Sequence, residues 1–295
     1  METIEDLKRR IESTEDLQSV VKTMKAMAAV KIRQFELAVE SLRDYARTIE
    51  LGLRAALRDR TGAMVGARPG GKRRLGGVVF GSDQGMCGQL NDQVVSHAME
   101  EMKRSSGGAA PPRVLAVGRR AAARLEEANQ PVESVLAAPG SIRGVGPGVR
   151  ELLARIEDWN REGTVDRILL YHSRPLSGAR YEPRTVPLLP VDRLWLEGIR
   201  KKPWPTRALP LFTMDWDPLF SALIRQYLYV WLFRAFAESL ASENASRLVS
   251  MQGAERNIRD RLDELIMRYH RQRQMTITEE LLDIVSGFEA LGGSV

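Results

Sequence analysis

Proline is absent from the first 68 residues of this chain and from the last 77; all 14 prolines lie between Pro69 and Pro218. Proline breaks a helix interior because it lacks an N–H and its ring clashes with the preceding turn. Two proline-free ends, rich in strong helix formers, therefore predict two long helices around a Pro- and Gly-punctuated middle. Ordinary helices average about 11–12 residues. Helices several times longer are built to reach or to transmit, and seldom to enclose a pocket.

Other scarcities exclude further classes. The single cysteine, Cys87, rules out an internal disulfide and fits a reducing compartment. Aromatics make up only 6%. No apolar run approaches the ~20 residues that span a bilayer. The opening METIEDLKRR is charged, has no apolar core and is too acidic for a transit peptide, so no signal peptide is expected. The expected location is the cytoplasm, or a membrane-associated complex on its cytoplasmic side. His97, His172 and His270 are scattered without metal-ligand spacing. There is no H-E-x-x-H, C-x-x-C or G-x-S-x-G. The histidines read as surface or packing residues, Cys87 as a buried inert thiol, and the carboxylates as solvated helix faces. No self-contained active site is expected.

The net charge of +6 raises the question of nucleic acid. Its distribution answers against it. Residues 1–57 carry 10 basic and 10 acidic side chains, and residues 219–295 carry 9 and 10. The excess sits in the middle, densest at Arg68–Arg74 and Arg200–Arg207, and reads as solubility plus contact with acidic neighbours.

What is present is periodicity. The first helix should begin at Thr3, an N-cap with Asp6 three residues on. Apolar residues recur at Ile4, Leu7, Ile11, Leu17, Val21, Met24 and Ala28. Beyond Ala28 they alternate by four and three: Ile32, Phe35, Val39, Leu42, Ala46, Ile49, Leu53. That 3.5-residue period predicts a coiled-coil seam. Glu50–Arg54 is a favourable i,i+4 pair. Some 55 residues would extend roughly 80 Å. The last helix should open at Asp217-Pro218. Its first part, Leu219 to Phe236, is apolar on more than one side and should be buried on two faces. Leu248, Met251, Ile258, Leu262, Leu265 and Tyr269 then restore one stripe, with Gly253 the weak point. About 70 residues would extend on the order of 105 Å. The economical arrangement sets first helix against last, antiparallel.

The middle reads as α/β. Leu75–Gly81, Arg113–Gly118 and Asp166–Ser173 are strand-type runs. Helix candidates lie at Gln89–Lys103, Arg119–Asn129 and Val149–Trp159. The alternation predicts a parallel sheet with helices on its faces. Tyr181–Pro210 reads as a loose return path with an edge strand at Arg184–Leu189.

Two glycine-rich segments invite a ligand. Gly66–Arg73 fits G-x-x-x-x-G-K, but it precedes a strand, contains Pro69 and ends in Arg73, so a connector is expected. Gly81-Ser-Asp-Gln-Gly85-Met-Cys-Gly88-Gln-Leu-Asn91 follows a strand and precedes a helix, where α/β proteins bind ligands. Its spacing is neither a dinucleotide fingerprint nor a P-loop. On the residues alone, ligand site and structural turn both remain open.

Three blocks carry a resemblance. They are Ile11-Glu-Ser-Thr with Val21–Arg33, the Gly81–Asn91 block, and Glu238–Met251 with Arg273–Gly287. In this order, and across the whole chain, the sequence resembles the gamma subunit of F-type ATP synthases, as a divergent or alternative bacterial branch. Val30, Gly253 and His270-Arg271-Gln272 depart from the family pattern. The resemblance implies a long antiparallel coiled coil of N- and C-terminal helices (residues 1–58 and 218–291) with an inserted Rossmann-like α/β domain at 75–210. It implies no catalytic residue, no metal and no cofactor, the glycine-rich block being a fold element. It implies a rotor shaft coupling ion-driven rotation of the membrane ring to the catalytic sites of alpha and beta subunits. Implied partners are alpha, beta, epsilon and the c-ring, with no nucleic acid; the implied location is peripheral, on the cytoplasmic side of the inner membrane. Rotor–stator contacts would fall to Met24, Lys25, Arg273, Gln274, Thr278 and Glu280. The bearing tip would be Leu281, Leu282, Ile284, Val285 and Phe288. Two rivals are a coiled-coil adaptor with a nucleotide-sensing α/β domain, and a vacuolar-type shaft, which lacks the inserted sheet.

Overall fold

Helix α1 (Ile4–Leu57) starts at a reciprocal cap. Asp6 N–H donates to Thr3 Oγ1 at 3.1 Å, and Thr3 N–H donates back to Asp6 Oδ2 at 3.3 Å. The aspartate does here what a glutamate does in the usual box, and the Thr3 hydroxyl, donating to Asp6 Oδ2 at 2.8 Å, together with the Thr3 N–H holds its carboxyl below the ordinary range. The computed structural model describes residues 3–58, 74–106, 111–176, 178–205 and 210–292. The Gly66–Arg73 segment lies outside them. Two units divide the chain, Met1–Met27 with Val249–Val295, and Ala28–Leu248. Helix α1 and the last helix, α6 (Trp216–Gly292), each contribute to both.

In the smaller unit, Val21, Met251, Ile258 and Leu262 form a buried cluster with Ile11, Met24 and Ala254 against it. Leu17 corrects the expected stripe, because it is 52% exposed. The half-buried positions are instead Ile11, Thr14 and Gln18, between buried Leu7 and Val21. The four-three alternation thus runs from Leu7, with polar residues at two seam positions. An apolar residue one step off the seam points to solvent, whatever its hydrophobicity.

The larger unit is built on a five-stranded sheet. Its strands are β1 (Leu75–Phe80), β2 (Arg113–Val117), β3 (Ser134–Leu136), β4 (Arg167–Pro175) and β5 (Tyr181–Leu189), in the order β3-β2-β1-β4-β5. The first four are parallel; β5 pairs antiparallel with β4. A parallel sheet with an edge strand at Arg184–Leu189 was expected, and that edge strand is β5. The short connection after Pro175 makes a hairpin, which forces antiparallel pairing. Helices α2 (Leu90–Ser106), α3 (Arg119–Glu127) and α4 (Ile142–Arg161) supply the crossovers. Helix α4 begins seven residues before the expected Val149 and runs through Pro147, which gives up one backbone hydrogen bond to the preceding turn. Two elements escaped the sequence reading. Strand β3 is three residues long, and α5 (Arg193–Lys201) lies within the expected loose path, capped by Asp192 accepting from Leu194 N–H at 2.9 Å.

Within this unit α1 and α6 also run antiparallel. Tyr45 Oη donates to Gln226 Oε1 at 2.7 Å, and Trp216 Nε1 donates to the Ala56 carbonyl at 2.8 Å. Ile49, Leu53 and Leu57 pack with Leu196, Ile199 and Phe220. The double-sided apolar stretch of α6 is used as expected. Phe220 joins the α1 cluster, while Leu228, Leu232, Ala235 and Phe236 join the sheet core around Val78, Leu115, Ile156 and Trp159. The Glu50–Arg54 pair forms at 3.6 Å.

Gly253 is exposed, and a methyl group there would meet nothing within 4 Å. Gly253→Ala should stabilise the chain by about 1 kcal/mol. Urea denaturation of the two proteins checks it; equal midpoints would show that the backbone at this position is not limiting.

Candidate functional site

Strand β1 is central: its own connection leaves through α2 to β2 on one side, and the later connection from β3 crosses through α4 to β4 on the other. The carboxyl ends of β1 and β4 therefore border a topological switch point, the crevice where open α/β sheets take ligands. The Gly81–Gly88 turn forms one wall, and His172 and Ser173 on β4 form the other.

Helix α6 fills this crevice. All residues from Ala235 to Arg247 are buried, and seven of them are polar: Glu238, Ser239, Ser242, Glu243, Asn244, Ser246 and Arg247. Ser242 Oγ shares its proton between the Ser173 carbonyl at 3.1 Å and the Glu238 carbonyl of its own helix at 2.9 Å, and Ser246 Oγ donates to the Cys87 carbonyl. Arg247 reaches the Gly85 carbonyl at 3.4 Å and holds Glu243 at 2.7 Å. Burial raises the Glu243 carboxyl above its ordinary value even beside that guanidinium. His172 Nε2 lies 2.9 Å from Glu238 Oε2, and Arg234 Nε is 2.7 Å from Oε1. A carboxylate only accepts, so the imidazole Nε2–H donates. Burial opposes ionisation of Glu238, but the hydrogen bonds from His172 and Arg234 outweigh it and hold its pKa at about 2.

The turn itself is closed by its own residues. Asn91 Oδ1 accepts from Ser82 N–H at 3.0 Å, and its Nδ2 donates to Ser82 Oγ at 2.9 Å. Cys87 is buried against the same pair. Asp83 accepts from Arg119 N–H at 2.8 Å and from Ala138 N–H at 3.0 Å, stitching the turn to α3 and to the segment after β3. A Cβ at Gly81 would sit 2.5 Å from both Ala121 Cβ and Asn91 Oδ1, so glycine is required by close approach. The backbone N–H groups and side chains that would cradle a ligand are thus turned to the protein itself, and the structural-turn alternative fits this geometry.

Two expectations change. His172 is neither surface nor plain packing: it is 2% exposed and bonded to a buried carboxylate. Glu238 and Glu243 are not solvated, because α6 is enclosed at this level. His97 meets Thr185 Oγ1 at 2.8 Å, and His270 lies edge-on to Tyr269. The contacts of Ser242 and Ser246 were missed by the reading, though one signal was visible: the polar, small-residue run Glu238–Arg247 directly follows a helix segment apolar on several sides.

The expected contact residues are spread along the smaller unit. Met24 is half-buried against the Val21 cluster, and the Lys25 ammonium is paired with Glu255. Arg273, Gln274, Thr278 and Glu280 are exposed on α6, the Thr278 hydroxyl turning back to the Gln274 carbonyl at 2.8 Å. Arg273 is about 27 Å further along the helix than Glu255, at ~1.5 Å per residue, so the two groups do not meet. Leu281, Leu282, Ile284 and Val285 are 57%, 59%, 63% and 54% exposed. The Phe288 side chain lies outside the described residues. Among the described residues, no helix is long and apolar enough to cross a membrane, and no group of acidic, His or Cys side chains has metal-ligand geometry.

A long antiparallel helix pair with an inserted α/β domain, whose ligand crevice is plugged by its own helix, defines a shaft-type subunit in form. A family model described as ATP synthase matches residues 3–291, and the chain belongs to the ATP synthase gamma-chain family. It is 30% identical to the ATP synthase gamma chain of Moorella thermoacetica over 99% of this chain and 100% of that one. The gamma chain of Heliobacterium modesticaldum is 28% identical over 99% and 100%. A chain of the Euglena gracilis mitochondrial ATP synthase (OSCP/F1/c-ring) matches the fold with a TM-score of 0.62 and 18% identity, over 99% of this chain and 96% of that one.

Glu238→Gln should cost about 1–3 kcal/mol at neutral pH, because a buried donor loses a charged partner. A carboxyl held at about 2, below its free value of 4.5, adds stability above pH 4.5 that is lost as pH falls towards 2. The variant should show a shallower loss over that window in urea titrations. Parallel pH profiles for the two proteins would refute the assignment.

Proposed function

We propose that this chain is the central-stalk rotor subunit of an F-type ATP synthase. Ion-driven turning of a membrane ring would rotate the helix pair, and its asymmetry would shift the alpha and beta catalytic sites in sequence. The chain itself carries out no catalysis. Its partners are alpha, beta, epsilon and the c-ring, and it is peripheral to the inner membrane, on the cytoplasmic side. Solved relatives in fold come from a Tetrahymena thermophila central stalk/c-ring assembly (TM-score 0.55, 19% identity, 80% of this chain and 99% of that one) and from the Euglena complex.

The observation that carries this reading is the end of α6. Leu281, Leu282, Ile284 and Val285 stand exposed there, beyond the level at which Lys25 pairs with Glu255. An apolar patch on an isolated helix end marks a surface made for another chain. In this reading it turns in an apolar collar, while Met24, Lys25, Arg273, Gln274, Thr278 and Glu280 meet the stator. Two helices sharing a seam resist twisting better than one. Charges of both signs, interspersed along each helix, avoid a single-sign field that would hold the shaft at one angle. The nucleotide-sensing alternative loses ground because its crevice is filled by α6.

Affinity purification of the full chain from native membranes should bring down alpha, beta and epsilon subunits together with c. Their absence would remove the proposal. Micromolar ATP binding to the isolated chain would favour the sensor instead.

A further inference from the structure

In the larger unit, α1, α4 and α6 diverge around a cavity of about 710 Å³ that belongs to neither the filled crevice nor the helix end. This is within the range of small-molecule sites, roughly 300–1,000 Å³. Its apolar lining is Leu42 from α1, Leu153 from α4, and Phe233 with the ring of Tyr229 from α6. Polar groups line it to a similar extent, and the charged ones among them are cationic. Arg225 lines it with its guanidinium fixed by Glu157, Nε to Oε1 at 2.9 Å and Nη2 to Oε2 at 3.2 Å. Arg150, two turns before Glu157 on α4, lines it too, is exposed, and has no partner among the described residues. Gln226 and Tyr45 line it together, with Gln226 Oε1 accepting from the Tyr45 hydroxyl, so the free donors of Gln226 are its amide N–H groups. No acidic side chain is among the lining residues.

We infer that this cavity is a binding site for a small organic anion with a flat apolar body. An unpaired guanidinium beside aromatic walls satisfies both halves of such a ligand, since arginine bonds the oxyanion in a plane and also stacks on rings. The Arg225–Glu157 pair neutralises itself, so Arg150 carries the uncompensated charge. The ligand's anionic group belongs at Arg150 and the Gln226 amide, and its ring between Tyr229 and Leu42. The inference is independent of the rotor reading, because it concerns a face of the larger unit alone.

The test titrates the full chain with 1-anilinonaphthalene-8-sulfonate, a sulfonate on fused rings, and follows its fluorescence. The dye also adheres to exposed apolar side chains, so a Leu281→Gln, Leu282→Gln chain serves as the background. In that background one saturable site per chain is expected. Arg150→Glu should weaken it at least tenfold, Arg150→Lys by less than about threefold, and removing the sulfonate from the dye should weaken it as the glutamate does. Arg150 is exposed, so its variants should keep the parent's circular dichroism and melting. A titration identical in Arg150→Glu and its parent, or no saturable site at all, would overturn the assignment.

Discussion

The burial of α6 on every side between Ala235 and Arg247 is the constraint on which the larger unit depends. A helix enclosed all round is normally apolar all round. This one carries seven polar residues, and a buried polar group is costly unless bonded. Ser242 and Ser246 meet the Ser173 carbonyl on β4 and the Cys87 carbonyl in the turn after β1, and the two glutamates meet His172, Arg234 and Arg247, while Ser239 Oγ stays without a partner among the described residues. The bonds are directional, so helix and sheet fit at one register. An apolar interface of equal area would stick as well but would tolerate sliding.

That distinction bears on the rotor role proposed for the chain. A part that transmits torque needs a joint that resists rotation about the helix axis. Ser242 and Ser246, one turn apart on a single face of α6, bond to Ser173 and to Cys87, and the neighbouring Arg247 reaches Gly85, so turning the helix about its axis would break all three bonds. The α/β architecture supplies the crevice, and the chain spends it on its own helix. A fold that hosts ligands elsewhere thus serves here as a socket.

Much of the architecture was legible. Proline placement announced α1 and α6, and the four-three spacing from Ala28 to Leu53 named residues now buried or half-buried. The central strands were visible as short apolar runs because they are covered on both faces. Leu17 was misread because hydrophobicity alone cannot tell a seam position from its neighbour. Strand β3 was missed because three residues carry no periodicity. Helix α5 was missed because prolines on either side masked a nine-residue amphipathic stretch.

Alone, the order of residues settled which segments are helix, which are strand, and that the two ends need a common seam. These follow from local backbone preference and period, and each is written within a few turns of chain. Tertiary structure alone decided that the glycine-rich turn is occupied, that His172 faces Glu238, and that Ser246 replaces a ligand at Cys87. Those contacts join residues 66 and 159 positions apart. No local pattern specifies them, because they arise only when the closing of the fold brings α6 back to the strand ends.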